Sequence, residues 1–180
     1  MKYILKCVNI SHDFDFIISK ACADDAKHIV EFLNKVAGET DFLTFGINEF
    51  PFSVSEERKQ ISACLEYNKD LMLIAKVGNE LVSQLFLQRS NKPKLAHIGD
   101  VGISVSKKFW GKSIGKHMML VAIEWAQQHN ITKIQLQVRT DNDKAVRLYQ
   151  RLGFKIEGEI TRAMKINNIY FDDYIMGLEL

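Results

Sequence analysis

Residues 101–120 read VGISVSKKFWGKSIGKHMML: an extended apolar run, a short stretch rich in glycine and lysine, then an apolar-periodic helix. A strand-to-helix junction of this kind leaves main-chain N–H groups unpaired and turns the positive end of the helix dipole outward. That makes it an anion site. Gly111 and Gly115 have no Cβ and let the main chain approach a ligand closely, while Lys112 and Lys116 add positive charge. The same junction also serves as a plain turn in many α/β proteins, and this stretch alone does not choose between the two. The letters GKS at 111–113 do not make a nucleoside-triphosphate cradle, which needs a glycine at 106 where this chain has Ser106. No GxGxxG occurs, so a dinucleotide fingerprint is missing as well.

A second stretch, VRTDNDKAVRLYQRLGFKIEGE at 138–159, carries another constellation. Asn142 is a good N-cap, Ala145, Leu148 and Leu152 share a helix face, and Gly153 supplies a left-handed stop. Each of these residues has an adequate structural explanation; their conjunction with the upstream loop is what is specific. Asn142, Ala145, Tyr149, Gly153 and Phe154 match, in order and spacing, the pattern Asn-x-x-Ala-x-x-x-Tyr-x-x-x-Gly-Phe. Here the chain resembles the GNAT superfamily of N-acetyltransferases, in the branch of ribosomal-protein and polyamine acetyltransferases. The family's phosphate loop, [Arg/Gln]-x-x-Gly-x-[Gly/Ala], falls on Trp110, Ser113 and Gly115, so two of three anchor positions depart from it. Ser113 serves in place of glycine if its φ is negative, with its hydroxyl capping the helix or reaching a phosphate. The matches cover Val101–Phe154, and the ending YFDDYIMGLEL is similar to the family's last strand.

The resemblance implies acetyl-CoA as co-substrate and direct attack of a primary amine on its thioester in a ternary complex. It places cofactor binding on Ile103, Ser104, Val105, Trp110, Gly111, Lys112, Ser113, Ile114, Gly115, Lys116 and Asn142, with the N–H near Ile103 facing the oxyanion. Tyr149 matches the residue that protonates the departing thiolate. A phenol near 10 against a thiol near 8.5 makes full transfer uphill, so a hydrogen bond is its main role; its bland reading is a core aromatic. Asp100 shares a strand face with Gly102 and Ser104, and related sequences often carry an acid there; it is either a general base working through water or a solvated carboxylate. An ε-amine near 10.4 costs about 4.6 kcal/mol to deprotonate at pH 7 and needs such help, whereas an α-amine near 7.8 costs about 1 kcal/mol. The alternative, from another class, is a non-catalytic acyl-CoA-binding regulatory module; a structural protein with no ligand is the third.

Other candidates are weaker. His97 lies near the same strand but stands alone, and His28, His117 and His129 fall in helices without metal-ligand partners. Asp172 and Asp173, near the last strand, line an acceptor site or are exposed loop acids. Phe42, Phe45, Phe50 and Phe52 form an acceptor wall or a core-covering loop. Cys7, Cys22 and Cys64 make no CxxC pair, and no metal is expected. With 24 basic against 22 acidic residues, the charge balance gives no support to a nucleic-acid partner. The expected partner is a small-molecule or peptide amine. The residues give no sign of oligomeric state, though homodimers are common in similar proteins. No signal peptide and no apolar run near the ~20 residues of a membrane span can be read, so a soluble, cytoplasmic protein is expected.

The elements that must position these residues follow from periodicity. Strands are expected at Tyr3–Val8 and Phe14–Ser19 around a polar turn at Asn9–Asp13. A helix starting near Asp24 buries Ala26, Ile29, Val30, Leu33 and Val36, and a second, boxed by Ser53 and Glu56, buries Ile61, Cys64 and Leu65. Strands follow at Leu71–Val77, Glu80–Gln88 and Ala96–Val105, the first two joined by a tight Gly78-Asn79 turn. A largely buried helix at Ser113–His129, a strand at Lys133–Val138, a helix at Asp143–Leu152 and strands at Phe154–Lys165 and Tyr170–Leu178 complete the chain. This order predicts an α/β fold in a single domain, 1–180, with a mixed, mostly antiparallel sheet flanked by helices. The resemblance makes it the acyl-CoA N-acyltransferase fold, splayed between the strand ending near Val105 and the strand at 133–138.

Overall fold

The computed structural model describes residues 4–11 and 14–180; Tyr3 and the His12–Asp13 part of the expected first turn lie outside them. In chain order the elements are β1 (Ile4–Ser11), β2 (Phe14–Lys20), α1 (Ala26–Ala37), α2 (Val54–Tyr67), β3 (Leu71–Val77) and β4 (Glu80–Arg89). They continue with β5 (Ile98–Val105), α3 (Ile114–Gln128), β6 (Lys133–Arg139), α4 (Asp143–Arg151), β7 (Lys155–Ile166) and β8 (Ile169–Glu179). The strand order is β1-β2-β3-β4-β5-β6-β8-β7. The pairs β1–β2, β2–β3, β3–β4, β6–β8 and β7–β8 are antiparallel and β5–β6 is parallel, which is the expected mixed sheet with flanking helices. Contacts divide the chain into two compact units, one holding residues up to Gln88 with Gly102–Ala122, the other Arg89–Val101 with Ile123–Leu180.

In the first unit, α1 and α2 cover one face of β3. Ala26, Ile29, Leu33 and Val36 of α1 pack with Ile61 and Cys64 of α2 and with Met72 and Ile74. Phe32 joins them, a residue the expected stripe omitted, while Val30 is only half-buried. Each fully buried isoleucine here contributes roughly 1.5–3 kcal/mol of burial. Leu65 is exposed, which corrects the expected face: it sits 100° round from Cys64, past the edge of the core. The capping box of α2 forms as read, with Ser53 N donating to Glu56 Oε2 at 2.8 Å and Glu56 N to Ser53 Oγ at 3.3 Å. Leu43, Phe45 and Phe50 pack against the same cluster, so two of the loop's four phenylalanines cover the core. All of Leu71–Ala75 is buried, as a continuous apolar run requires of a strand covered on both faces.

In the second unit, β6 pairs on both sides. Ile98, Gly99 and Asp100 of β5 lie against Lys133, Ile134 and Gln135, and Lys133–Arg139 runs antiparallel to Glu179–Asp173. β5 starts at Ile98, not Ala96, because Pro93–Leu95 forms a 3-10 turn whose backbone carries on through Ala96. Asn142 Oδ1 accepts from Ala145 N at 3.3 Å and caps α4, and Gly153, at φ 95°, ends it. The β7–β8 hairpin turns on Asn167 and Asn168, with φ of 48° and 65°, the pair of left-handed residues a two-residue hairpin loop favours.

Candidate active site

The loop ahead of α3 is built within the first unit. Ser106 N donates to Val82 O at 3.0 Å, a 3-10 turn spans Lys107–Phe109, and Trp110 N and Lys112 N bond back to Lys107 O and Phe109 O. The first helical bond of α3 is His117 N to Ser113 O at 3.2 Å. Between these, the N–H groups of Gly111, Ser113, Ile114, Gly115 and Lys116 donate to no described residue. Gly111 sits at φ 79°, and a Cβ built on it meets nothing within 4 Å, so the loop is open on that side.

Ser113 has φ 60°, so the condition of a negative φ under which it would stand in for glycine is not met. It holds left-handed geometry with a Cβ attached, a strain of about 1–2 kcal/mol. Ser113→Gly is therefore expected to raise Tm by about 2–8 °C in thermal denaturation. An unchanged or lower Tm would mean that the hydroxyl holds the turn.

The remaining loop residues divide between ligand-facing and structural roles. Trp110 Nε1 donates to Val105 O at 2.8 Å, so the indole's single donor braces the end of β5 and is not available to a phosphate. Ile114 is buried in the core, Lys116 is exposed, and the Lys112 ammonium stands 4.8 Å from the centroid of Phe14. Because Ser106 N–H points to β4, strand alternation puts Ser104 on the same edge and Ile103 and Val105 on the other. Ser104 O accepts from Ser83 Oγ at 2.8 Å.

The second unit holds the other expected residues. Tyr149 is buried, its ring 5.8 Å from that of Phe154, and burial pushes its phenol up to about 12. Its hydroxyl makes no hydrogen bond to a described residue. Asp100 is exposed and accepts from Gln135 Nε2 at 2.7 Å. Asn142 spends its oxygen on the cap of α4. His97 is exposed, and His129 stacks on Trp125 at 4.0 Å, both as bland histidines.

Sequence reasoning missed one cluster here. Buried Arg139 forks onto Asp141 at 2.9 and 2.6 Å and lies 3.7 Å from the Phe171 ring centroid. The arginine holds the Asp141 carboxyl below its usual range. Asp173, paired with Arg139 in the ladder, has one buried oxygen without a partner, and burial raises its carboxyl. Asp172 Oδ1 instead accepts from Arg162 N at 2.6 Å. Only the i, i+2 spacing of Arg139 and Asp141 hinted at the fork. Among the described residues no group of three or more His, Cys, Asp or Glu side chains suits a metal, and no helix is long and apolar enough to cross a membrane.

A profile of the acetyltransferase (GNAT) family matches residues 39–154. The chain belongs to the GNAT family. The L-amino acid N-acetyltransferase AaaT of Escherichia coli K12 is 29% identical over 106 residues, covering 58% of this chain and 65% of that protein. The chain thus spans less than two thirds of that relative. A GNAT-family acetyltransferase from Streptococcus pneumoniae superposes with a TM-score of 0.88 at 31% identity, covering 92% of this chain and 99% of that one. The yncA protein of Salmonella typhimurium, solved with its cofactor acetyl-CoA, shares the fold at a TM-score of 0.81 and 15% identity, covering 92% and 94%.

Proposed function

We propose that residues 1–180 act as one N-acetyltransferase domain that transfers acetyl from acetyl-CoA to a primary amine by direct attack in a ternary complex. The observation that carries this reading is the row of unpartnered main-chain donors at Gly111 and Ser113–Lys116, set in a GNAT fold. When bound, acetyl-CoA supplies an acyl thioester, which is open to attack by an uncharged nitrogen.

The chain's own groups do the rest. The N–H groups of Gly111 and Ser113–Lys116 hold the pyrophosphate, with Lys112 and Lys116 adding charge. The edge of β5 carrying Ile103 and Val105 points away from β4, and the parallel ladder recorded for β5 ends at Asp100. Ile103 N–H is left to stabilise negative charge on the acyl oxygen. Tyr149 Oη holds its proton towards the departing sulfur. Against a thiol near 8.5, a phenol at about 12 makes outright proton transfer uphill by about 4.8 kcal/mol, so Tyr149 acts as a hydrogen-bond donor.

Asp100 takes the proton from the incoming ammonium through water, held in place by Gln135. Asp100→Asn is expected to slow an ε-amine acceptor about tenfold or more while leaving an α-amine within about twofold. An unchanged pH–rate profile with the ε-amine would remove Asp100 from this role. The test of the whole reading is thiol release from acetyl-CoA with a panel of amino acids, polyamines and peptides. Turnover on an amine supports it; tight coenzyme binding without turnover on any amine assigns the chain to the binding modules instead.

A further inference from the structure

We propose that Glu39 is a positioning residue that sets the affinity of the cofactor loop by tying the turn ahead of it to the end of α1; this rests on the acetyltransferase reading. Glu39 lies two residues beyond α1, and its own N–H is pinned to Val36 O at 2.9 Å. Its carboxylate accepts from Lys107 N at 2.6 Å, and both of its oxygens lie 3.2 Å from Ser106 Oγ. Ser106 is wholly buried yet makes no side-chain cap to the turn it precedes. The cap on Lys107–Phe109 comes from Glu39 instead, 68 positions earlier in the chain.

From that cap a series of main-chain hydrogen bonds leads towards the loop. Phe109 N bonds Ser106 O, Trp110 N bonds Lys107 O, and Lys112 N bonds Phe109 O, which brings the chain to Gly111 and Ser113. Those two residues hold left-handed geometry, so their donors stay aimed only while the turn behind them is held. Glu39 is not itself an anion ligand, since a carboxylate repels a phosphate. Its charge is met by two donors and by Lys35 Nζ at 3.9 Å from Oε1. The role is mechanical: Glu39 acts on the cofactor through Ser106 and Lys107.

The experiment combines steady-state kinetics with varied acetyl-CoA and amide hydrogen exchange on wild type, Glu39→Ala and Glu39→Gln. Losing a charged hydrogen bond at this point predicts a KM for acetyl-CoA about tenfold higher in Glu39→Ala, with kcat within about twofold. Glu39→Gln keeps an oxygen for Lys107 N–H and is expected to fall between the two. Exchange is expected to quicken at Lys107, Phe109, Trp110 and Lys112 in Glu39→Ala and to stay unchanged along α2. A KM within about twofold of wild type, or a fall in kcat at constant KM, overturns the proposal. Should wild type bind no acetyl-CoA, the acetyltransferase reading fails, and exchange still decides on Glu39: quickened loop amides uphold the anchoring, unchanged ones reject it.

Discussion

Tyr149→Phe is expected to lower kcat for thiol release about 100-fold or more while leaving the KM for acetyl-CoA within about twofold. The substitution removes one oxygen that bonds to no described residue and keeps the ring against Phe154, so no buried partner is stranded. Stability should therefore move by less than about 1 kcal/mol, and the loss of rate reports on the hydroxyl alone. The pH dependence adds a sign. The phenol is at about 12 in the fold against roughly 10 unfolded, so the fold favours the neutral form. The stability that this contributes is complete below about pH 10 and disappears as pH climbs through about 12. Wild-type turnover should accordingly show no alkaline limb from Tyr149 below about pH 11. A rate for Tyr149→Phe within about threefold of wild type would return Tyr149 to the core as a plain aromatic.

Gly111→Val is expected to raise the KM for acetyl-CoA about 30- to 150-fold, equivalent to about 2–3 kcal/mol. Two effects add. A β-branched residue at φ 79° is a backbone outlier, costing about 1–3 kcal/mol and drawing the loop out of its left-handed turn. The new side chain also stands on the side where a Cβ meets no protein atom, the side proposed for the pyrophosphate. Binding of coenzyme A followed by calorimetry gives the readout, with circular dichroism confirming that the fold persists. If the variant binds coenzyme A as wild type does, the anion does not lie over Gly111.

Much of the architecture could be read wherever neighbours in sequence determine the structure. Ser53 and Glu56, Asn142 with Ala145, and Gly153 act through bonds that close within a few residues, and all three were legible. Phe32 and Leu65 were misjudged because periodicity defines a face but not how far the core extends beneath it. The positive φ of Ser113 was not legible for a different reason. Its intrinsic preference is for negative φ, and the Lys107–Lys112 bonds behind it override that preference. Glu39 could not be found at all, since its partners stand at Ser106 and Lys107 and no local pattern links them. The motif residues of the candidate site were found by matching, but the engagement of Trp110 by Val105, and of Asp100 by Gln135, needed three dimensions.

The division of the chain has a consequence for its synthesis. The first unit is not a continuous stretch: it is interrupted after Gln88 and completed only by Gly102–Ala122. A ribosome adding about 5–20 residues per second takes roughly 2–7 s to travel from Gln88 to Ala122. During that interval the nascent chain carries β1–β4 while Ser83 Oγ and Val82 O still await Ser104 and Ser106.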